Sequence, residues 1–255
     1  MKNRNPLFFI VLAFGISWLA WGICIIFDKF GISMTDNYLL YVPDLLGGVA
    51  PSIASYVVLK KEGRVKNFKE WCVLMFDVKV NFKYYVLTVF FVLFFLGISY
   101  LVIDVEVIAP WYLFFLALPI MVIGGGLEEP GWRGYLQPYL AEKHGFVAGT
   151  FIMGLIWSLW HLPLFYYSGT TQYGTSFLLF AIAVFGLNYA IGALRKISNS
   201  TFLCLVLHCS FNALYVVFNF DKSRLINDHV TMLVGSCLLI AVSIILIFVD
   251  KRKKI

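Results

Sequence analysis

The chain has 255 residues, of which 61% are hydrophobic and only 13% charged, and it carries a formal net charge of +6. Soluble domains are nearer half apolar and a quarter charged, so this composition excludes an ordinary water-soluble globule and implies a bilayer as solvent. Nucleic-acid binding is excluded too, because the basic residues fall between apolar runs and form no single patch.

The first run, 7–27, follows Lys2 and Arg4 in the manner of a signal peptide. Its 21 residues are long for a signal core and no A-x-A site follows, so an uncleaved first span is expected. Further runs follow at 38–59, 84–103, 109–128, 147–167, 175–194, 201–219 and 230–249. Each is near the ~20 residues a helix needs to cross a bilayer. The runs are continuous and do not alternate, which favours helices over a barrel. An all-α polytopic protein with about eight transmembrane helices is predicted, as a single membrane domain over 1–255.

Lysines and arginines orient these spans. With the N-terminus inside, the inner segments hold seventeen, seven of them in 60–83. The outer segments hold only Lys29, Lys222 and Arg224. This bias places both termini in the cytoplasm of a multi-pass cell-membrane protein. The five cysteines show no C-x-x-C spacing and read as small apolar fillers.

Polar groups inside spans are costly and default to functional candidates. Asp44 lies near the outer end of the second span, where it reaches the interface, and Asn188 reads as packing glue. Trp157 shares a face with His161 and reads as packing. The stretch "GGGLEEPGWRGYL" at 124–136 is different. Glu129 and Arg133 are i and i+4, acid first, and form a self-sufficient pair on a helix. Glu128 is turned about 100° away and has no such neighbour, which suits a general base or acid. The fourth and fifth spans turn around "EKHG" at 142–145. Glu128 lies 17 residues before Gly145 and His161 lies 16 after it, so an antiparallel hairpin sets the two at one depth. On the seventh span, His208 and Asn212 are i and i+4 and share a face that can hold a water or an oxyanion.

Three motifs carry a resemblance: "EEPGWR" at 128–133, "WSLWH" at 157–161 and "HCSFN" at 208–212. In this order and spacing the chain resembles the CPBP (CAAX-protease and bacteriocin-processing, also Abi) family of intramembrane proteases, with a core at about 124–216. Trp157 departs from the family's usual phenylalanine, and Pro130 stands inside the first motif. The resemblance implies that Glu128, aided by His161, activates a water. It implies that His208 and Asn212 stabilise the oxyanion and that Glu129 and Arg133 hold the site in shape. The implied substrate is a peptide or protein, prenylated as for the CAAX proteases or a bacteriocin precursor. A metal is left open: zinc would take Glu128, His161 and His208, a ligand set plausible in type but without H-E-x-x-H. Metal-free catalysis is the favoured expectation. A non-catalytic bacteriocin-immunity or membrane-partner protein is the alternative. A transporter is disfavoured, because no repeat symmetry or row of acids is present.

Overall fold

The structure, a computed structural model, describes residues 4–102, 105–220 and 229–250. It is helical throughout apart from one short strand pair. Helix α1 (Pro6–Lys29) starts with Pro6 in its first turn and Asn5 accepting from the Phe8 amide, which satisfies one of the free N–H groups there. Next come α2 (Tyr41–Lys61), the short α3 (Phe68–Met75) and α4 (Phe82–Val102). Strand β1 (Val105–Val107) leads to α5 (Leu113–Ile123). Beyond α5 the backbone is irregular: a 3-10 turn (Gly126–Glu128), a three-residue α6 (Glu129–Gly131) and a π turn (Trp132–Leu136) precede α7 (Gln137–His144). The chain reverses at Gly145 into α8 (Phe146–Trp160). Then come α9 (Phe177–Ser198), α10 (Thr201–Val217), β2 (Phe218–Phe220) and α11 (His229–Val249).

Among the described residues, five helical stretches are long and apolar enough to cross a membrane, with Leu113–His144 as the fourth. Three shorter apolar helices, Phe146–Trp160, Thr201–Val217 and Leu233–Val249, accompany them. The chain is therefore an all-α, multi-pass membrane protein. Its outer surface carries exposed apolar side chains such as Leu101 (84% exposed) and Phe248 (78%), as lipid contact requires.

Some expected span limits are corrected. The fourth span does not run helically to residue 128, because Gly125 takes φ +141 and breaks it. The fifth ends at Trp160, where Pro163 and a 3-10 turn (Leu162–Phe165) follow. The seventh ends at Val217, since residues 218–220 pair antiparallel with β1. The third reaches Val102, and the rest of its expected run, at 103, lies outside the described residues.

Helices pack in pairs: α1 along α2, α5 along α10, α7 along α8 and α9 along α11. The loops assigned to the cytoplasm meet at one end. Arg4 pairs with Glu142 at 2.7 Å, and Glu62 accepts from the Asn5 amide and the Tyr135 hydroxyl. At the other end Tyr167 donates to Asp44, and Ser168 to Asp28. That division matches the lysine and arginine bias. Asp44 is thus an outer tie. Asn188 donates to the Thr150 carbonyl at 2.7 Å and ties α9 to α8. All five cysteines are free.

The core below the site is aromatic. Trp132 is fully buried, edge-on to both Phe9 and Trp160 at 5.5 Å between ring centres. Trp160 donates to Ser17 at 2.7 Å, so a polar atom among these rings keeps a partner. This cluster anchors α1, the π turn and α8 to one another, and so fixes the floor on which the motif residues stand.

Candidate active site

The motif segment is wedged between α2 and α10. Gly131 lies so close to Pro51 that a methyl group there would sit 2.5 Å from the Pro51 carbonyl oxygen. Only glycine permits that approach. Ser52 on α2 donates to the Leu127 carbonyl at 2.5 Å, which holds the 3-10 turn carrying Glu128. From the other side the α10 face brings His208 and Asn212.

Glu128 is 7% exposed, and its Oε2 accepts from the Trp157 indole nitrogen at 2.7 Å. Among the described residues, none donates to its Oε1. Glu129 is fully buried and has two partners. Its Oε1 is 2.8 Å from His208 Nδ1 and its Oε2 is 3.3 Å from Arg133 Nε. The Arg133 contact lies within ion-pair range without hydrogen-bond alignment, so the attraction is mainly charge on charge. Arg133 is itself fully buried, and its guanidinium carbon is 4.9 Å from the centre of the Trp157 ring. Two buried opposite charges and an aromatic face are each other's environment here. Glu129 is therefore not satisfied by Arg133 alone, as the i, i+4 spacing suggests; it links Arg133 to His208 across 79 residues of sequence.

His161 is 8% exposed and caps α8, with Nδ1 2.7 Å from the Trp157 carbonyl oxygen. A carbonyl oxygen only accepts, so Nδ1 bears the proton and Nε2 is free to accept one. The ring is enclosed by Trp160 at 4.7 Å and Phe180 at 5.0 Å. Glu128 and His161, matched by their distances from Gly145, meet the same residue, Trp157.

His208 Nε2 and Asn212 Nδ2 converge on Gly125. A methyl group at Gly125 would stand 3.0 Å from the first and 2.6 Å from the second. Both nitrogens thus face one point beside the Gly125 backbone, close enough together for a single oxygen to accept from both, and this donor pair is the notch of the site. Asn212 also donates to the Gly124 carbonyl at 2.9 Å, which fixes its amide and leaves its second N–H unspent. Positive φ at Gly125 and the notch are one feature: the backbone bends there, and a side chain would both strain it and fill the space.

The possible ligands Glu128, His161 and His208 are not drawn into a metal set. Among the described residues no three His, Cys, Asp or Glu side chains are grouped closely enough to hold an ion. These residues do not fit a zinc centre as arranged, and no step is routed through one. A cavity of about 550 Å³ lies at the α7–α8 turn, lined by residues such as His144 and Tyr189 and by no motif residue.

Residues 109–214 match the family described as "Type II CAAX prenyl endopeptidase Rce1-like". The chain is also 23% identical over 272 residues to a protein of Methanococcus maripaludis named "CAAX prenyl protease 2", covering 97% of this chain and 95% of that one. By these likenesses the chain is a membrane peptidase, similar to the Rce1-like CAAX prenyl endopeptidases. It acts on peptide or protein substrates within the membrane. The matched segment contains all three motifs, from the helix that ends at Gly124 to the face of α10 that bears Asn212.

Two features of this candidate site are not legible in the motifs. Trp157 reads as packing in the sequence, yet it donates to Glu128 and touches three other motif residues. Gly125 reads only as one of three small residues in a row. The signal that could have flagged Trp157 is its i, i+4 relation to His161, which puts its carbonyl on the histidine. Nothing local flags its bond to Glu128, 29 residues away.

Proposed function

We propose that this protein cleaves a peptide bond near the C-terminus of a prenylated, CAAX-type substrate in the cell membrane, by water activated at Glu128. The observation that carries this reading is the notch at Gly125, bounded by His208 Nε2 and Asn212 Nδ2, on the same turn that presents Glu128. An oxyanion hole needs donors about 2.7–3.1 Å from where the oxygen will sit, and two nitrogens that face one point can both reach a single oxygen.

In this reading the scissile carbonyl oxygen enters the notch. Water hydrogen-bonds to the Nε2 of His161 and gives a proton to Glu128 as its oxygen attacks the carbonyl carbon. The negative charge moves to the carbonyl oxygen, where Asn212 and a doubly protonated His208 donate to it. Glu129 accepts from His208 Nδ1 and balances that imidazolium; Arg133 in turn balances Glu129. The C–N bond then breaks, and the proton held by Glu128 goes to the leaving amine. A carboxylate base and two converging donors supply the chemistry, with Glu129 and Arg133 as support.

The test is cleavage of a farnesylated CAAX peptide by the full chain in liposomes, read as release of the C-terminal tripeptide. Wild type should cleave and Glu128→Ala should not, while both unfold at similar temperature. A wild-type protein that leaves this peptide intact but cuts an unprenylated leader peptide overturns the substrate. Unimpaired cleavage by Glu128→Ala overturns the mechanism. Cells protected from a bacteriocin equally by wild type and Glu128→Ala would identify a binding protein instead.

A further inference from the structure

We propose that Trp157 is the positioning residue that aims the water-activating pair, holding Glu128 through its indole N–H and His161 through its backbone carbonyl. The inference rests on the reading above, in which Glu128 takes the proton of water, and deepens it.

The geometry singles out this residue. Its indole nitrogen is 2.7 Å from Glu128 Oε2, and its carbonyl oxygen is 2.7 Å from His161 Nδ1. Its ring lies 4.9 Å from the Arg133 guanidinium carbon and stands edge to face with His208 at 5.5 Å. Four motif residues on three separate segments therefore touch one side chain or its own carbonyl. Trp157 is 3% exposed, so these contacts are made away from bulk solvent.

The chemistry of the indole fits the task. The terminal torsion of a glutamate is broad and two-fold, so an unheld carboxylate does not choose which oxygen it presents. One N–H bond to Oε2 settles the choice and leaves Oε1 for water. Indole is a donor only and is neutral, so it holds the carboxylate without discharging it. A lysine or arginine there would pair with Glu128 and compete with the proton it must take. The same residue sets His161, because the Nδ1–H bond to its carbonyl leaves Nε2 as the acceptor. Aim of this kind matters, since misplacing a reacting group by about 1 Å costs on the order of 100-fold.

Packing alone makes a different demand. A phenylalanine, the residue of the F-x-x-x-H pattern, fills much of the ring volume and keeps the backbone carbonyl, but offers no donor to Glu128. The full chain in liposomes should therefore be assayed as Trp157→Phe, and with 3-benzothienylalanine at 157, which replaces the N–H by sulfur in an otherwise matching ring. The substrate is any peptide that wild type cleaves and Glu128→Ala does not. Both substitutions should lower kcat about 10- to 100-fold, the scale of one hydrogen bond to a charged group, with KM and the unfolding temperature close to wild type. Should Trp157→Phe not fold, the benzothienylalanine protein decides. Wild-type kcat in the benzothienylalanine protein overturns the proposal, as does a loss confined to KM. If Glu128→Ala is inactive and the benzothienylalanine protein is fully active, only the role of Trp157 falls. If Glu128→Ala is itself active, the water-activating reading falls first.

Discussion

Two regions bring functional groups to one place by opposite means. Helix α10 is regular from Thr201 to Val217 and delivers His208 and Asn212 by helical register alone. The segment from Gly124 to Leu136 passes through 3-10, α and π turns to deliver Glu128, Glu129 and Arg133. A regular helix fixes which residues share a face and nothing about what they meet. An irregular one lets adjacent residues point to unlike partners. Glu128 turns to Trp157 and Glu129 to His208 and Arg133, although they are neighbours in sequence. Irregular backbone at membrane depth survives only where protein covers it, and here α2 and α10 do so.

That contrast can be broken experimentally. The largest expected effect is at the irregular turn: Glu128→Gln keeps size and loses the base, and cleavage should fall on the order of 10⁴-fold, measured as single-turnover product release. Next is the support beneath it. Arg133→Met leaves the Glu129 carboxylate buried without its cation and should cost about 3–5 kcal/mol, read by denaturant unfolding in micelles. On the regular helix, Asn212→Ala removes one donor from the notch while the helix persists. A fall in kcat of about 100-fold or more with stability retained is expected. A drop in stability instead would mean that its bond to the Gly124 carbonyl is the larger duty. The smallest effect is away from the site, where Asn188→Ala removes the α9–α8 tie and should change stability by only about 1 kcal/mol with kcat unchanged.

Gly125 sharpens the same comparison, since it belongs to the irregular segment and forms the wall facing the regular one. Gly125→Ala should inactivate more than it destabilises if the notch receives an oxygen, because its methyl would collide with the His208 and Asn212 nitrogens and push the donors apart. Loss of activity in step with loss of fold would point to backbone strain alone. Comparing its unfolding temperature with its single-turnover rate separates the two.

The apolar runs and the shared face of His208 and Asn212 are legible from composition and a 3.6-residue period. So is the pairing of Glu129 with Arg133. The strand pair between Val105–Val107 and Phe218–Phe220 is not, because three-residue strands leave no period to read and their partner lies over 100 residues away. The break at Gly125 is hidden by an apolar run that continues through it. Trp157 illustrates the general difficulty: an indole in a membrane span fills space in most settings, and its one donor declares a purpose only when its partner is known.

Sequence patterns thus suffice for the solvent this chain lives in, its all-helical character and the residues that share a helix face, because these follow from summed hydropathy and local spacing. Which oxygen of Glu128 is held, which nitrogen of His208 remains open and which donors converge beside Gly125 are settled by tertiary structure. Each depends on contacts between segments 29 to 88 residues apart, which no local spacing encodes.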